Sequence, residues 1–189
     1  MKKIAVVLSM AILLISGCSK EKHKENQPKK ESIEKNQQVT IPKFSLNSLD
    51  GKKIEFKFQK NRLISNSNKI IILDFFATWC PACKAEIPYL VDLQKRYKDK
   101  IKIIGVLLDR DKDSQKIKDF IEKFHINYFV SISNDNYDLA RTIYSFVQAP
   151  SDMPIPMMVM FKDSKYIIHY IGATPEEMIE SDIKKVIGE

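Results

Sequence analysis

Two cysteines separated by two residues, Cys80 and Cys83, are the side chains of this sequence best suited to covalent chemistry. A cysteine thiolate is a strong nucleophile, and two thiols at this spacing can close into a disulfide and reopen. Pro81, between them, suits the first turn of a helix, where its missing N–H is harmless. Cys80 would then lie at a helix N-terminus, where unpaired N–H groups favour a thiolate. The spacing therefore predicts a redox-active pair in which Cys80 attacks and Cys83 resolves the mixed disulfide.

Other uses of the cysteine pair stay open at this point. A Cys-x-x-Cys pair can form half of a zinc site, copper(I) can be held by two thiolates, and a short disulfide can be purely structural. The histidines His23, His125 and His169 lack metal-ligand spacing to each other or to the cysteines. We therefore expect no metal site, and no cofactor other than the redox-active disulfide itself.

Asp74 is the one carboxylic acid in the otherwise apolar run from Ile70 to Phe76, six residues before Cys80. Burial would raise the pKa of this group and let it hold or relay a proton near the cysteines. The alternative is an acid at a strand end that pairs with a lysine.

Strands and helices alternate around this segment. The apolar run at 70–76 is typical of a strand covered on both faces, and the helix that follows Trp79 has an apolar stripe. An Asp-Gly turn at 50–51 predicts a hairpin before this strand. After the helix the pattern predicts strand 101–108, helix 114–124, strand 128–132, helix 138–146, a hairpin of strands 157–161 and 166–171, and helix 175–187. The predicted fold class is α/β, with a central mixed sheet flanked by helices and an N-terminal β-hairpin extension.

The segment from Asp74 to Lys84, with Trp-Cys-Pro-Ala-Cys between a buried strand and a helix, resembles the active site of the thioredoxin superfamily. The wider pattern of hairpin, Trp-Cys-x-x-Cys and Lys-x-Glu-x-Pro resembles the membrane-anchored TlpA and ResA group, from about Phe44 to the C-terminus. This resemblance implies a thioredoxin-like domain over residues 41–189 and a thiol-disulfide oxidoreductase activity.

The same resemblance implies roles for two acids. In thioredoxins an acid at the position of Asp74 helps to deprotonate the second cysteine, here Cys83. Glu86 matches the glutamate of the Cys-x-x-Cys-x-x-Glu pattern and is expected to take part in related proton transfers. A surface position on the helix is the alternative for Glu86.

The resemblance also implies how substrate binds. Pro156, preceded by Ile155, matches the cis-proline that precedes a hydrophobic strand and lies beside the cysteines. In the family, backbone groups of the preceding residue pair with a substrate strand, as in strand addition generally. A plain turn proline is the alternative. The expected substrate-binding residues are Trp79, Pro81, Ile155 and Pro156.

The N-terminal residues predict an export signal. Lys2 and Lys3 precede an apolar run at 4–15, which is shorter than the roughly 20 residues of a membrane-spanning helix. The next residues, Leu-Ile-Ser-Gly-Cys ending at Cys18, resemble the bacterial lipobox, whose cysteine is diacylated after cleavage. An ordinary secretion signal is the alternative. The predicted organisation is a lipoprotein signal peptide at 1–17, the lipidated cysteine and a flexible polar tether at 18–40, and the folded domain at 41–189.

The predicted partners follow from export and from the family. The formal net charge is +7, but the lysines are spread along the chain, so we expect no nucleic acid partner. We expect cysteine-containing exported substrates, such as apocytochrome c, a membrane electron donor, and attachment to the bacterial cell envelope through the lipid, facing the periplasm or extracytoplasmic space. Reduction is favoured because the Pro-Ala dipeptide lacks the histidine of strongly oxidising DsbA-type motifs. A disulfide-forming oxidase and a copper(I) chaperone remain alternatives, whereas the intact cysteine pair disfavours a noncatalytic interaction domain.

Overall fold

The computed structural model describes residues 41–189. These residues form eight strands and four helices. The predictions for the signal peptide, for Cys18 and for the tether lie outside the described residues. The strands are β1 Lys43–Asn47, β2 Lys53–Gln59, β3 Arg62–Ile64, β4 Ile70–Phe76, β5 Ile101–Leu107, β6 Phe129–Ser131, β7 Met157–Lys162 and β8 Lys165–Ile171, and the helices are α1 Pro81–Arg96, α2 Ser114–Lys123, α3 Asn136–Phe146 and α4 Glu176–Ile187.

Within this part of the chain, the strands form one eight-stranded mixed sheet in the order β1-β2-β3-β8-β7-β4-β5-β6. The central strand β4 pairs in parallel with β5 and antiparallel with β7. The mixed sheet and the N-terminal hairpin are confirmed. Strand β3 was not predicted, because three residues are too few to show an alternating pattern; its Arg62 pairs with Lys165 and joins the hairpin to β8.

Both faces of β4 are covered, which explains why every residue of the strand except Asp74 is apolar. All seven of its residues are buried. One face packs with α1 and α4 through residues such as Leu90 and Ile179, in the cluster that also holds both cysteines. The other face packs with α3 through residues such as Leu139 and Ile143. The strand is therefore held rigidly, and so is the segment that follows it, where the cysteines lie.

Candidate active site

Cys80 is the N-cap residue of α1, and Pro81 occupies the first turn, as predicted. The Cys80 Sγ accepts a hydrogen bond from the backbone N–H of Cys83 at 3.1 Å. The two cysteines form a disulfide with a Cα–Cα distance of 5.3 Å, and both are buried. When the pair is reduced, the same N–H group and the positive end of the helix favour a thiolate at Cys80.

The loop before β7 lies directly beside Cys80. Its Ile155–Pro156 peptide bond is cis, which confirms the predicted cis-proline. The carbonyl oxygen of Ile155 is 3.9 Å from the Cys80 Sγ. The Tyr144 hydroxyl donates to the carbonyl oxygen of Pro154 at 2.8 Å and holds the loop from α3. The backbone of Ile155 is therefore placed next to the sulfur that a substrate must reach.

Trp79, directly before Cys80, lies at the protein surface. Its side chain is 65% exposed, which is unusual for so large an aromatic residue. Trp79 and Ile155 line a surface cavity of about 660 Å³ that extends to Met153, Tyr137 and Leu108. The arrangement offers a partly apolar surface on which a chain approaching Cys80 can lie.

Asp109 anchors the segment between β4 and the cysteines, although the sequence did not single it out. Its Oδ1 accepts a hydrogen bond from the N–H of Thr78 at 2.9 Å, and its other oxygen accepts one from the Thr78 hydroxyl. Asp109 is 6% exposed and follows the end of β5. Because β4 and β5 are parallel, their carboxyl ends lie at the same edge of the sheet. An acid just after the predicted strand 101–108 could therefore have indicated a residue close to the cysteines.

Asp74 lies at the centre of the sheet, 1% exposed, with no hydrogen-bond partner for its Oδ1. Burial raises the pKa of this carboxyl well above its usual value, and the nearby charge of Glu86 raises it further. The alternative of a strand-end acid paired with a lysine is wrong. Such a carboxyl keeps its proton unless its surroundings stabilise the charged form. It can therefore hold a proton and pass it on.

Glu86 is also buried, 2% exposed, so the alternative of a surface position is wrong. Its Oε1 accepts a hydrogen bond from the N–H of Thr174 at 3.1 Å. Burial raises the pKa of Glu86 to about 7, although the Thr174 N–H opposes this shift. Glu86 lines a surface cavity of about 370 Å³ with Tyr89 and Thr174, so only a thin layer of the protein lies between its buried side chain and solvent. A carboxyl with such a pKa can exchange protons near neutral pH.

Tyr128, just before β6, is a third buried group that the sequence did not single out, because an aromatic residue at a strand start is usually just core. Its hydroxyl has no hydrogen-bond partner, and burial raises the pKa of Tyr128 well above its usual value, with further contributions from the charges of Asp74 and Glu86. Sequence spacing cannot reveal this residue, since it meets the acids only through the fold.

Metal-ligating side chains are not clustered in residues 41–189: no three His, Cys, Asp or Glu residues there are grouped so that they could hold a metal ion. Over the same residues, no helix combines the length and apolar content needed to cross a membrane.

Similar proteins were found both by sequence and by structure. A family described as Redoxin matches residues 36–187. The thiol-disulfide oxidoreductase ResA of Bacillus thuringiensis subsp. konkukian (strain 97-27) is 32% identical over 146 residues, which are 77% of this chain and 75% of that protein. The ResA protein of Bacillus subtilis (strain 168) is 25% identical over 159 residues, 84% of this chain and 78% of that protein.

Solved structures share the fold. A thioredoxin family thiol:disulfide interchange protein from Chlorobium tepidum TLS superposes with a TM-score of 0.61 and 23% identity, over 78% of this chain and 95% of that one. StoA from Bacillus subtilis superposes with a TM-score of 0.57 and 20% identity, over 76% of this chain and 97% of that one. The fold is thioredoxin-like, as the sequence predicted.

Proposed function

Because the chain belongs to the Redoxin family and is a thiol-disulfide oxidoreductase, we propose that it reduces disulfide bonds of exported proteins in the bacterial cell envelope. The observation that carries the proposal is the Cys80–Cys83 disulfide at the N-terminus of α1, beside the exposed Trp79 and the cis Ile155–Pro156 loop. A purely structural disulfide would need neither an exposed aromatic neighbour nor an adjacent groove.

The proposed cycle starts from the reduced pair. The Cys80 thiolate attacks one sulfur of a substrate disulfide, which forms a mixed disulfide and releases the first substrate sulfur as a thiolate that takes up a proton. Cys83 then loses its proton and attacks the Cys80 sulfur. The Cys80–Cys83 disulfide closes, and the second substrate sulfur leaves and is protonated. Two electrons and two protons pass from the enzyme dithiol to the substrate.

The two buried acids are assigned the proton transfers of the second step. In this assignment the carboxylate form of Asp74 or Glu86 takes the proton from the Cys83 thiol as it becomes a nucleophile. The different surroundings of the two acids support different roles for them in proton transfer. Glu86, with a pKa of about 7 and a cavity beside it, exchanges protons with solvent, whereas Asp74 is enclosed by the sheet.

Substrate binding is assigned to the groove on either side of Cys80. An extended substrate segment would pair with the backbone of Ile155 and lie against Trp79, with Pro81 and Pro156 shaping the two edges. The short distance between the Ile155 carbonyl oxygen and the Cys80 Sγ supports this assignment, because a strand paired there would bring its own cysteine to the nucleophile. Pairing through the backbone tolerates many substrate sequences.

The location and the recycling partner complete the proposal. The basic and apolar N-terminus and the Leu-Ile-Ser-Gly-Cys segment support export and lipid attachment at Cys18, followed by a polar tether up to residue 40. The anchored domain would then face the extracytoplasmic space, where a membrane electron donor restores the dithiol. Apocytochrome c, whose haem-binding thiols must be reduced, is a proposed substrate by similarity to the ResA relatives.

The reduction potential of the Cys80–Cys83 pair tests the direction of the reaction. The purified protein is equilibrated in dithiothreitol buffers and its free thiols are counted. We expect a value near that of thioredoxin, about −270 mV. A value near about −120 mV would instead identify a disulfide-forming oxidant.

Cysteine variants test the assigned roles. Cys80→Ala should abolish reduction of insulin disulfides, and Cys83→Ala should accumulate a mixed disulfide with substrate. The matched control is Cys18→Ala, which removes the remaining cysteine. We expect this variant to reduce insulin in solution as fast as the wild-type protein does, but to lose its attachment to membranes. Full activity of Cys80→Ala would show that the assigned nucleophile is wrong.

A further inference from the structure

Three buried side-chain atoms in residues 41–189 lack a hydrogen-bond partner: the Asp74 Oδ1, the Glu86 Oε2 and the Tyr128 hydroxyl. Buried polar groups in folded proteins nearly always have partners, and exceptions concentrate at functional sites. Asp74 and Glu86 have a place in the proposed reaction. Tyr128 belongs to the same core cluster as both cysteines, but the reaction as described does not use it.

Gly105 determines where the Tyr128 ring lies. In the pairing of β4 with β5, Gly105 stands directly beside Asp74, and neighbouring residues of paired strands face the same side of a sheet. A Cβ atom at Gly105 would lie 3.3 Å from Cε2 of Tyr128 and 2.9 Å from a ring carbon of Phe76. The missing side chain therefore leaves room for the Tyr128 ring on the face of the sheet that carries Asp74.

We propose that Tyr128 is a positioning residue for proton transfer, whose hydroxyl donates a hydrogen bond to the carboxylate that remains when Asp74 or Glu86 has lost its proton. This inference rests on the proposed function. A carboxylate in an apolar core is strongly destabilised unless a donor faces it, and it must exist, if only briefly, to accept the proton of Cys83. Within the described residues, the Tyr128 hydroxyl, the Asp74 Oδ1 and the Glu86 Oε2 have no other hydrogen-bond partner that this contact would have to replace.

The electrostatics of Tyr128 support this role. Burial and the charges of the two acids keep the pKa of its phenol well above the usual value, so the hydroxyl stays protonated and acts as a donor. Tyr128 and both cysteines belong to one buried cluster, and the Tyr128 ring lies against the Gly105 position that stands beside Asp74.

Tyr144 is a further buried ionisable group near Asp74: burial and the charge of Asp74 raise the pKa of its phenol, and its hydroxyl donates to the carbonyl oxygen of Pro154. Charged groups line the two cavities beside the cluster. The outer edge of Tyr128 lines a cavity of about 890 Å³ whose charged lining residues, all exposed except the half-buried lysine of β5, are Asp50, Lys52, Lys53, Lys102, Lys118 and Glu122. On the side of Glu86, the ionisable residues of the smaller cavity are Tyr89, Glu176 and Glu177. Water screens these groups, so the buried acids and the cysteines are the groups that set the local proton balance.

Tyr128→Phe tests the proposal because it removes the hydroxyl alone. The hydroxyl has no partner to lose, so the variant should fold. The matched control is Tyr170→Phe: Tyr170 is 8% exposed against 9% for Tyr128, belongs to the same core cluster, and donates its hydroxyl to Asp182 at 2.6 Å. Both variants are made in the full chain.

The readouts are the pH dependence of insulin reduction between pH 5.5 and 9 and the pKa values of Asp74 and Glu86 from ¹³C NMR of their carboxyl carbons. In Tyr128→Phe the carboxylates lose a donor, so we expect the acidic limb of the rate profile and at least one carboxyl pKa to rise by about one unit. The rate should fall about tenfold near pH 6 and approach that of the wild type near pH 9. Tyr170→Phe should follow the wild-type profile.

Superimposable profiles and carboxyl pKa values for Tyr128→Phe and wild type would overturn the inference. So would an equal loss of rate at every pH, because that is the signature of a merely structural defect. These results are separable from a failure of the proposed function, in which the wild-type protein itself would not reduce insulin.

Discussion

Replacing Glu86 by glutamine should make the stability of the protein less dependent on pH. Burial raises the pKa of this carboxyl from its usual value of 4.5 to about 7 in the folded protein. Between these values the folded chain keeps a proton that the unfolded chain has released, so rising pH favours unfolding by up to about 1.4 kcal/mol per unit. The stabilisation is fully present below pH 4.5 and is lost as the pH rises through 7.

Over the whole interval this linkage amounts to about 3 kcal/mol for the one group. Glutamine keeps an oxygen for the Thr174 N–H but never ionises, so the variant lacks this part of the pH dependence. If the amide lowers the free energy of unfolding for other reasons, it does so by the same amount at every pH and does not change the pH dependence. We therefore expect the stability of Glu86→Gln, relative to wild type, to improve by about 3 kcal/mol between pH 4.5 and 8.

The assay is urea unfolding of the oxidised protein at half-unit steps from pH 4.5 to 8, with two-state behaviour checked by two probes. The matched control is Glu122→Gln on α2, which removes a glutamate whose side chain is 65% exposed and should leave the wild-type dependence unchanged. Parallel plots of unfolding free energy against pH for Glu86→Gln and wild type would mean that the Glu86 carboxyl of the folded protein does not titrate near pH 7. The proposed exchange of protons between Glu86 and solvent would then be wrong.

Two further substitutions test the supports of the cysteine pair. Asp109→Ala leaves the part-buried N–H of Thr78 without its acceptor, so we expect the free energy of unfolding in urea to fall by about 1 to 3 kcal/mol. A loss below about 0.5 kcal/mol would mean that the Thr78 contact does not hold the segment. Trp79→Ala removes an exposed side chain and should leave the melting temperature within a few degrees of wild type, while kcat/KM for insulin falls about tenfold. An unchanged kcat/KM would exclude Trp79 from the substrate groove.

The parts of the fold that local patterns control were predictable. The six apolar residues of β4, the Asp-Gly turn of the first hairpin and the proline after Cys80 each act within a few residues, so their spacing predicts strand, hairpin and helix start. Helix ends were less certain: α3 begins at Asn136, two residues before its predicted start. Its N-cap residue Asp135 makes no capping bond within the helix. Its carboxylate instead accepts a hydrogen bond from the N–H of Ser45, a contact between distant segments that local spacing does not reveal. Pro156 required the resemblance, since most X-Pro bonds are trans.

The sequence by itself determined which residues can carry the chemistry. They are a cysteine pair at the junction of a buried strand and a helix, an acid inside that strand, and a second acid in the helix, one turn after the second cysteine. Only the tertiary structure decided their surroundings. Glu86 is buried because a segment 88 residues away covers it and supplies the Thr174 N–H. The Tyr128 ring lies on the face of the sheet that carries Asp74 because Gly105 has no side chain there. Burial and electrostatic coupling arise from packing between distant segments, whose contacts no local spacing encodes.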